Sequence, residues 1–133
     1  FSLAPVRVRR LDDLAAEHGW GRFELIKIDV EGLELEVLRG GARTLRGASF
    51  LLLEVSVVEY NSGAPLALEV LTFLERELGF VIFRVVACHD VIIWQIKCDV
   101  LLVNKRDLHA YVPRVWGPMC HLVLSVDCGR MLP

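Results

Sequence analysis

Two periods of apolar and polar positions run along this chain, and the stretch Leu25–Leu45 contains both. Leu25, Ile26, Ile28 and Val30 form a short apolar run broken only by Lys27 and Asp29. Such a run predicts a strand buried on both faces. Gly32 predicts a tight turn. Beyond it, Leu35, Leu38, Ala42 and Leu45 share one helical face. Glu31, Glu34 and Glu36 crowd the entry of that helix, where negative charge suits the macrodipole. Gly40-Gly41 interrupts the pattern, and two glycines at about 1 kcal/mol each against alanine predict a kink or a helix end.

The rest of the chain repeats this alternation. Phe1–Arg10 carries VRVRR, which suits a strand with one wet face. Leu11–Glu17 predicts a short helix with Asp12 or Asp13 near its start as cap or dipole complement, stopped by Gly19 and Gly21. Ser49–Val58 predicts a second buried strand, interrupted by Glu54 as the first is by Asp29. Asn61–Pro65 reads as a loop with helix-start chemistry, proline suiting the first turn. Ala67, Val70, Leu71, Leu74 and Leu78 then mark a helix that Gly79 ends, and Phe80–Ala87 is a third strand.

This order of strands and helices predicts βαβ units and a parallel sheet with helices over it. Val91–Ile96 reads as a short strand or a packed loop. Val100–Asn104 follows the third strand with no helical pattern between, so it is expected to pair antiparallel at an edge. Leu108–Pro133, with three prolines and two glycines, predicts irregular structure with one strand at Leu122–Val126.

The 133 residues suit one domain, and 54% hydrophobic content is ample for a core. A net charge of −2 gives no pull toward nucleic acid or an anionic membrane surface. No apolar run approaches the roughly 18 residues of a membrane span, and no signal-peptide pattern is visible, so a cytoplasmic protein is expected. A first residue of Phe1 suggests a chain cut from something longer. Cys88, Cys98, Cys120 and Cys128 lack zinc-site spacing and are expected to be reduced thiols.

Candidate chemistry follows from position. An acidic residue at the carboxyl end of a buried parallel strand stands where open α/β sheets place ligands. Asp29 therefore either orients and deprotonates a hydroxyl or caps the helix that follows. Glu31 reaches the same cleft or lies free at the helix entry, and Glu34 and Glu36 read as structural. Glu54, a charge in an apolar strand, must be protonated, face a cleft, or be paired with Lys27 or an arginine. Asp29 with Glu54 could hold a divalent cation through oxygens, but the expectation is of no metal. Trp20, Trp94 and Trp116 read as packing residues.

With those residues in view, the chain resembles the FkbM family of S-adenosylmethionine-dependent methyltransferases. Its pieces are Arg10-Leu11-Asp12-Asp13-Leu14, the block Ile26–Gly40 with its IDVEG turn, and Leu52-Leu53-Glu54-Val55. The resemblance runs from Val6 to about Lys105, leaving residues 106–133 as an irregular tail. It implies a Rossmann-like class I sheet, here partial and mostly parallel with an antiparallel edge strand. It also implies O-methyl transfer from S-adenosylmethionine to a small hydroxylated or sugar-like acceptor, with Asp29, Glu31 and Glu54 as the catalytic candidates. The glycine-rich turn and the acidic strand end that hold the cofactor in such enzymes have no counterpart here. The chain thus resembles the second half of the domain. A non-catalytic, partner-binding module with a self-associating sheet edge is the alternative. A phosphate hydrolase using Asp29 fits less well, for the turn lacks a second aspartate and a nearby hydroxyl.

Overall fold

The computed structural model describes residues 7–59, 63–90 and 96–115. Its elements are α1 (Leu11–Glu17), β1 (Leu25–Ile28), α2 (Glu34–Gly40), α3 (Ala42–Gly47), β2 (Phe50–Ser56), α4 (Ala67–Phe73), β3 (Phe80–Asp90), β4 (Ile96–Asn104) and α5 (Leu108–Val115). A π-helical turn, Leu74–Leu78, carries α4 on to Gly79. No helix among the described residues is long and apolar enough to cross a membrane.

The four strands lie in the order β1-β2-β4-β3. β1 and β2 are parallel, and β4 is antiparallel to both β2 and β3. Three strands therefore run one way and β4 runs against them. β4 is antiparallel as expected, but it is interior and β3 takes the edge. The physical reason is burial. β4 turns Cys98, Val100 and Leu102 into the core and also buries Val103, whereas β3 leaves Ile82, Val85 and Val86 in solvent. Two register shifts in β3, between Ile82 and Arg84 and between Val85 and Ala87, suit an edge strand.

One face of the sheet forms the core. Ile28, Leu51, Leu53, Val55, Val100 and Leu102 pack with Leu38, Leu45, Val70, Leu74 and Leu78 of the helices. At about 1.5–3 kcal/mol per buried aliphatic side chain, this is the main stabilising term. β2 shows the alternation directly, each odd-numbered residue from Leu51 to Val55 being buried and its neighbours half-buried. β1 is not covered on both sides as expected, since it is an edge strand whose Leu25 is 52% exposed. On the other face, Tyr111 of α5 meets Phe50 edge-on with ring centroids 4.7 Å apart.

Other expectations shift. Arg7–Arg10 form no strand, for no partner strand reaches them among the described residues, and Phe1–Val6 lie outside those residues. Pro65 precedes α4 rather than opening it, and Glu69 accepts the Leu66 N–H at 3.0 Å. Leu108–Val115 is a helix, anchored by the Tyr111 contact, where irregular structure was expected. The proposed strand Leu122–Val126, and Trp94 and Trp116, fall outside the described residues. Trp20 stacks on His18 and stands edge-on to Phe23, but it is 46% exposed rather than packed into the core. Cys88 and Cys98 are not free thiols: they face each other across β3 and β4 and form a disulfide. Directly opposed residues of an antiparallel pair bring their side chains close enough for that bond.

The junction of α1 with α2 and α3 rests on two residues of the Leu11-Asp12-Asp13 segment. Asp12 is buried and caps α3 rather than its own helix. Its carboxylate accepts the backbone N–H groups of Arg43 (3.1 Å) and Thr44 (2.8 Å) and the Thr44 hydroxyl (2.8 Å). α3 needs this help because its N-cap, Gly41, has no side chain. Gly41 is itself required by close packing, since a Cβ there would stand 2.7 Å from Leu11 Cδ2 and 3.1 Å from Leu11 Cβ.

Two outcomes follow. Gly41→Ala is expected to lower stability by about 1–3 kcal/mol in denaturant unfolding, and Leu11→Ala in that background to recover part of the loss. Burial alone would raise the Asp12 carboxyl, but the Thr44 and Arg43 bonds outweigh it and hold it below 3.8. Its contribution is therefore complete above about pH 4 and is lost as pH falls through the lower folded value. Asp12→Asn is expected to cost about 1–2 kcal/mol at neutral pH, and the gap to the parent to narrow in acid unfolding titrations.

Candidate functional site

β1 delivers Ile28 to the core and leaves the sheet through Asp29-Val30-Glu31-Gly32. Gly32 has a φ of 80°, the left-handed conformation that glycine adopts at least cost. Its N–H donates to the buried Glu34 carboxylate at 3.0 Å, which closes the turn onto the first turn of α2. Glu34 is thus structural, as expected. The closed turn sends Glu31 back across the end of the sheet.

β2 ends at the same edge, with Glu54 two residues before its last, Ser56. Because β4 runs against β2, its first residues also lie there, Lys97 opposite Ser56 and Asp99 opposite Glu54. Lys97 is one diagonal step from Glu54, within reach of a long side chain. Its Nζ donates to Glu31 Oε1 and Oε2 at 2.8 and 2.6 Å and to Glu54 Oε2 at 2.8 Å. The Lys97 side chain is only 8% exposed, against 21% for Glu54 and 65% for Glu31.

Glu54 is therefore paired, as expected, and the cation on it among the described side chains is Lys97, not the Lys27 or arginine that was expected. Asp29 does not join the pair directly. Its side chain turns outward and accepts a bond from Lys27 Nζ at 2.7 Å, both groups being more than half exposed. It does not cap α2, whose N-cap has no side-chain hydrogen bond. The Lys27 bond and charge hold the Asp29 carboxyl below its ordinary value, with the Lys97 charge adding to the effect. The same bond raises Lys27. Lys97 is raised by its bonds to Glu31 and then Glu54, which outweigh burial. It stays an ammonium throughout the working pH range and is no proton acceptor.

The oxygens that were candidates for a divalent cation, on Asp29 and Glu54, are thus each engaged by a lysine. Among the described residues no group of three His, Cys, Asp or Glu is placed to hold a metal ion. Lys97 is the residue that sequence reasoning missed. A lysine inside Ile96–Asn104 carries the same signal as Glu54 in its strand, a charge in an apolar run, but the strand was expected to start only at Val100. The described clefts include one of about 340 Å³ beside Trp20, Arg22 and Thr44 and one of about 330 Å³ beside Leu11, Leu33 and Val37. Neither is lined by Asp29, Glu31, Glu54 or Lys97.

Comparison with known proteins places the turn and both parallel strands inside one family match. The family model described as the methyltransferase FkbM domain matches residues 2–82. A 2-O-methyltransferase, NoeI, of Sinorhizobium fredii is 41% identical over 58 residues, covering 44% of this chain and 24% of that protein. A hexuronic acid methyltransferase, AglP, of Haloferax volcanii is 39% identical over 80 residues, covering 55% of this chain and 33% of that protein. The chain thus spans about a quarter to a third of the length of these curated relatives. No solved structure matches.

Removing partners from the Lys97 ammonium one at a time gives a graded expectation in denaturant unfolding. Glu31→Gln, at an exposed carboxylate, costs less than about 1 kcal/mol. Glu54→Gln costs about 1.5–3 kcal/mol. The double variant, which strands a buried cation, costs about 3–5 kcal/mol.

Proposed function

The chain belongs to the FkbM methyltransferase domain family, and from that premise we propose that it takes part in O-methyl transfer from S-adenosylmethionine to a hydroxyl of a small, sugar-like acceptor. The observation that carries this reading is the meeting of carboxylates from two adjacent parallel strands at their carboxyl ends. The acceptor class draws on the relatives, whose names specify a 2-O position and a hexuronic acid. The Rossmann-like class I sheet belongs to the same proposal and is supported by three strands in one direction with one reversed.

Transfer of a methyl group needs an acceptor oxygen aligned behind the methyl carbon and relieved of its proton. Asp29 is the open carboxylate of the edge. Ionised and a weak base because of Lys27, it is suited to accept and aim an acceptor O–H rather than to remove its proton outright. Glu31, largely exposed, presents a second acceptor oxygen across the same mouth. Glu54, more enclosed, supplies negative charge beside the place where the hydroxyl proton leaves.

The described residues by themselves do not fit the whole cofactor. The strand-end cluster has no enclosed cleft among those described, and its one glycine-turn N–H is already taken by Glu34. No step is therefore assigned to the cofactor through these residues, and its cradle and the acceptor pocket are ascribed to the whole protein. The same open cluster, with a side of β1 that no strand among the described residues covers, favours a second reading as a partner-binding α/β module that self-associates through that edge. A cytoplasmic setting is also a proposal, and the Cys88–Cys98 bond weighs against it, since disulfides persist in oxidising compartments.

The deciding assay follows label from S-adenosylmethionine to hexuronic acid and other sugar acceptors with the intact protein. Transfer is expected, with Asp29→Asn and Glu54→Gln each lowering kcat/KM by about 100-fold. The absence of both transfer and calorimetric binding of S-adenosylmethionine would refute the reading and favour the partner-binding module.

A further inference from the structure

We propose that Lys97 is a positioning residue: its ammonium, supplied by β4, the reversed strand among the described residues, locks Glu54 of β2 and Glu31 of the β1 turn side by side as acceptors at the reacting edge. This rests on the reading of that edge given above, and it concerns a residue beyond the stretch 2–82 that the family model matches.

Lysines ordinarily extend into water, as Lys27 and Lys105 do here at half exposure or near it. Lys97 does not. Its ammonium has three donors, and three bonds are made, two to Glu31 and one to Glu54. Such charge-assisted bonds are short and about twice as strong as neutral ones.

Topology explains why the cation comes from β4. A fourth parallel strand would have brought its final residues to this edge; a reversed strand brings its first. The backbone there is held from both sides. The Val57 N–H donates to the Ile96 carbonyl at 2.8 Å, and Cys98 is bonded to Cys88 of β3.

Three further charges border the cluster. Lys27 and Asp29 pair at the end of β1, and Asp99 stands opposite Glu54. His89 occupies the register position opposite Lys97 on β3. The Asp29 carboxylate has its own lysine, so Lys97 serves mainly the other two.

The test uses side-chain NMR relaxation of the Glu31 and Glu54 methylenes in the full chain, for the parent, Lys97→Met and Lys97→Arg, with circular dichroism to report folding. Lys97→Met is expected to lower the order of both side chains, and Lys97→Arg to restore most of the difference. In the intact protein, Lys97→Met is expected to lower kcat for methyl transfer by about 10- to 100-fold with KM little changed, and arginine to recover most of it. Glutamate side chains as ordered in a folded Lys97→Met chain as in the parent would overturn the inference, and so would a kcat that ignores their loosening.

Should Lys97→Met fail to fold, the parent chain still decides. A thrice-bonded ammonium exchanges slowly and gives a resolved 15Nζ signal that Glu54→Gln weakens, whereas an Nζ exchanging as fast as that of Lys27 would refute the proposal. An intact protein that transfers no methyl group overturns the proposed function instead, and the order of the Glu31 and Glu54 side chains then decides separately whether Lys97 holds the two glutamates.

Discussion

β2 is the constraint on which the rest depends. It is paired on both sides, to β1 in parallel and to β4 antiparallel, and its residues alternate strictly between a dry face and a half-covered one. Leu51, Leu53 and Val55 on the dry face fix where the helices must pack. The opposite face then necessarily carries Phe50, Leu52 and Glu54, because side chains of a strand alternate. A slip of one residue would put the Glu54 charge into the core beneath Leu38 and Leu74, so the burial pattern and the position of the site are one fact.

The helical layer is held to that sheet by a second, smaller constraint. α2 ends at Gly40 and only Gly41 separates it from α3, and the break lets α1 approach closely enough for Leu11 to lie against Gly41. The gap would leave the first N–H groups of α3 without acceptors. Asp12 supplies these from another helix, and its burial is tolerable only because three donors converge on it. At the far end of α3, the Asn104 side chain donates to the carbonyls of Arg46 and Ala48 at 3.2 Å, tying the same helix to the end of β4.

Charge at the strand ends follows a common rule with two outcomes. Exposed Asp29 and Lys27 pair in water, where the attraction is screened and the carboxylate stays accessible. Lys97 sits in a drier place, where a lone ammonium would be costly, and it takes two carboxylates. The outer pair leaves an oxygen free to meet an acceptor, while the inner trio holds its geometry. That division between an exposed carboxylate and an enclosed pair is what the proposed chemistry draws on.

Local pattern determined a good deal unaided. The strand at Leu25, the turn at Gly32, the helix break at Gly40-Gly41, the helix from Ala67 to the glycine at 79 and the strand at Phe50 all follow from periodicity and backbone sterics acting over a few residues. So did the placing of Glu31 and Glu54 at one end of two parallel strands, and the family resemblance. α5 was not read, because the proline at 113 and the glycines beyond it pointed to irregular structure where the chain forms a helix. What only the tertiary structure decided are the relations between distant segments: β4 in the interior, Asp12 capping a helix other than its own, Cys88 opposite Cys98, and Lys97 between two carboxylates. The reason is physical. A strand's neighbours, and the partner that makes a buried charge tolerable, are chosen by which segments together exclude the most water, and that choice is made by the whole sheet at once rather than by any window of the chain.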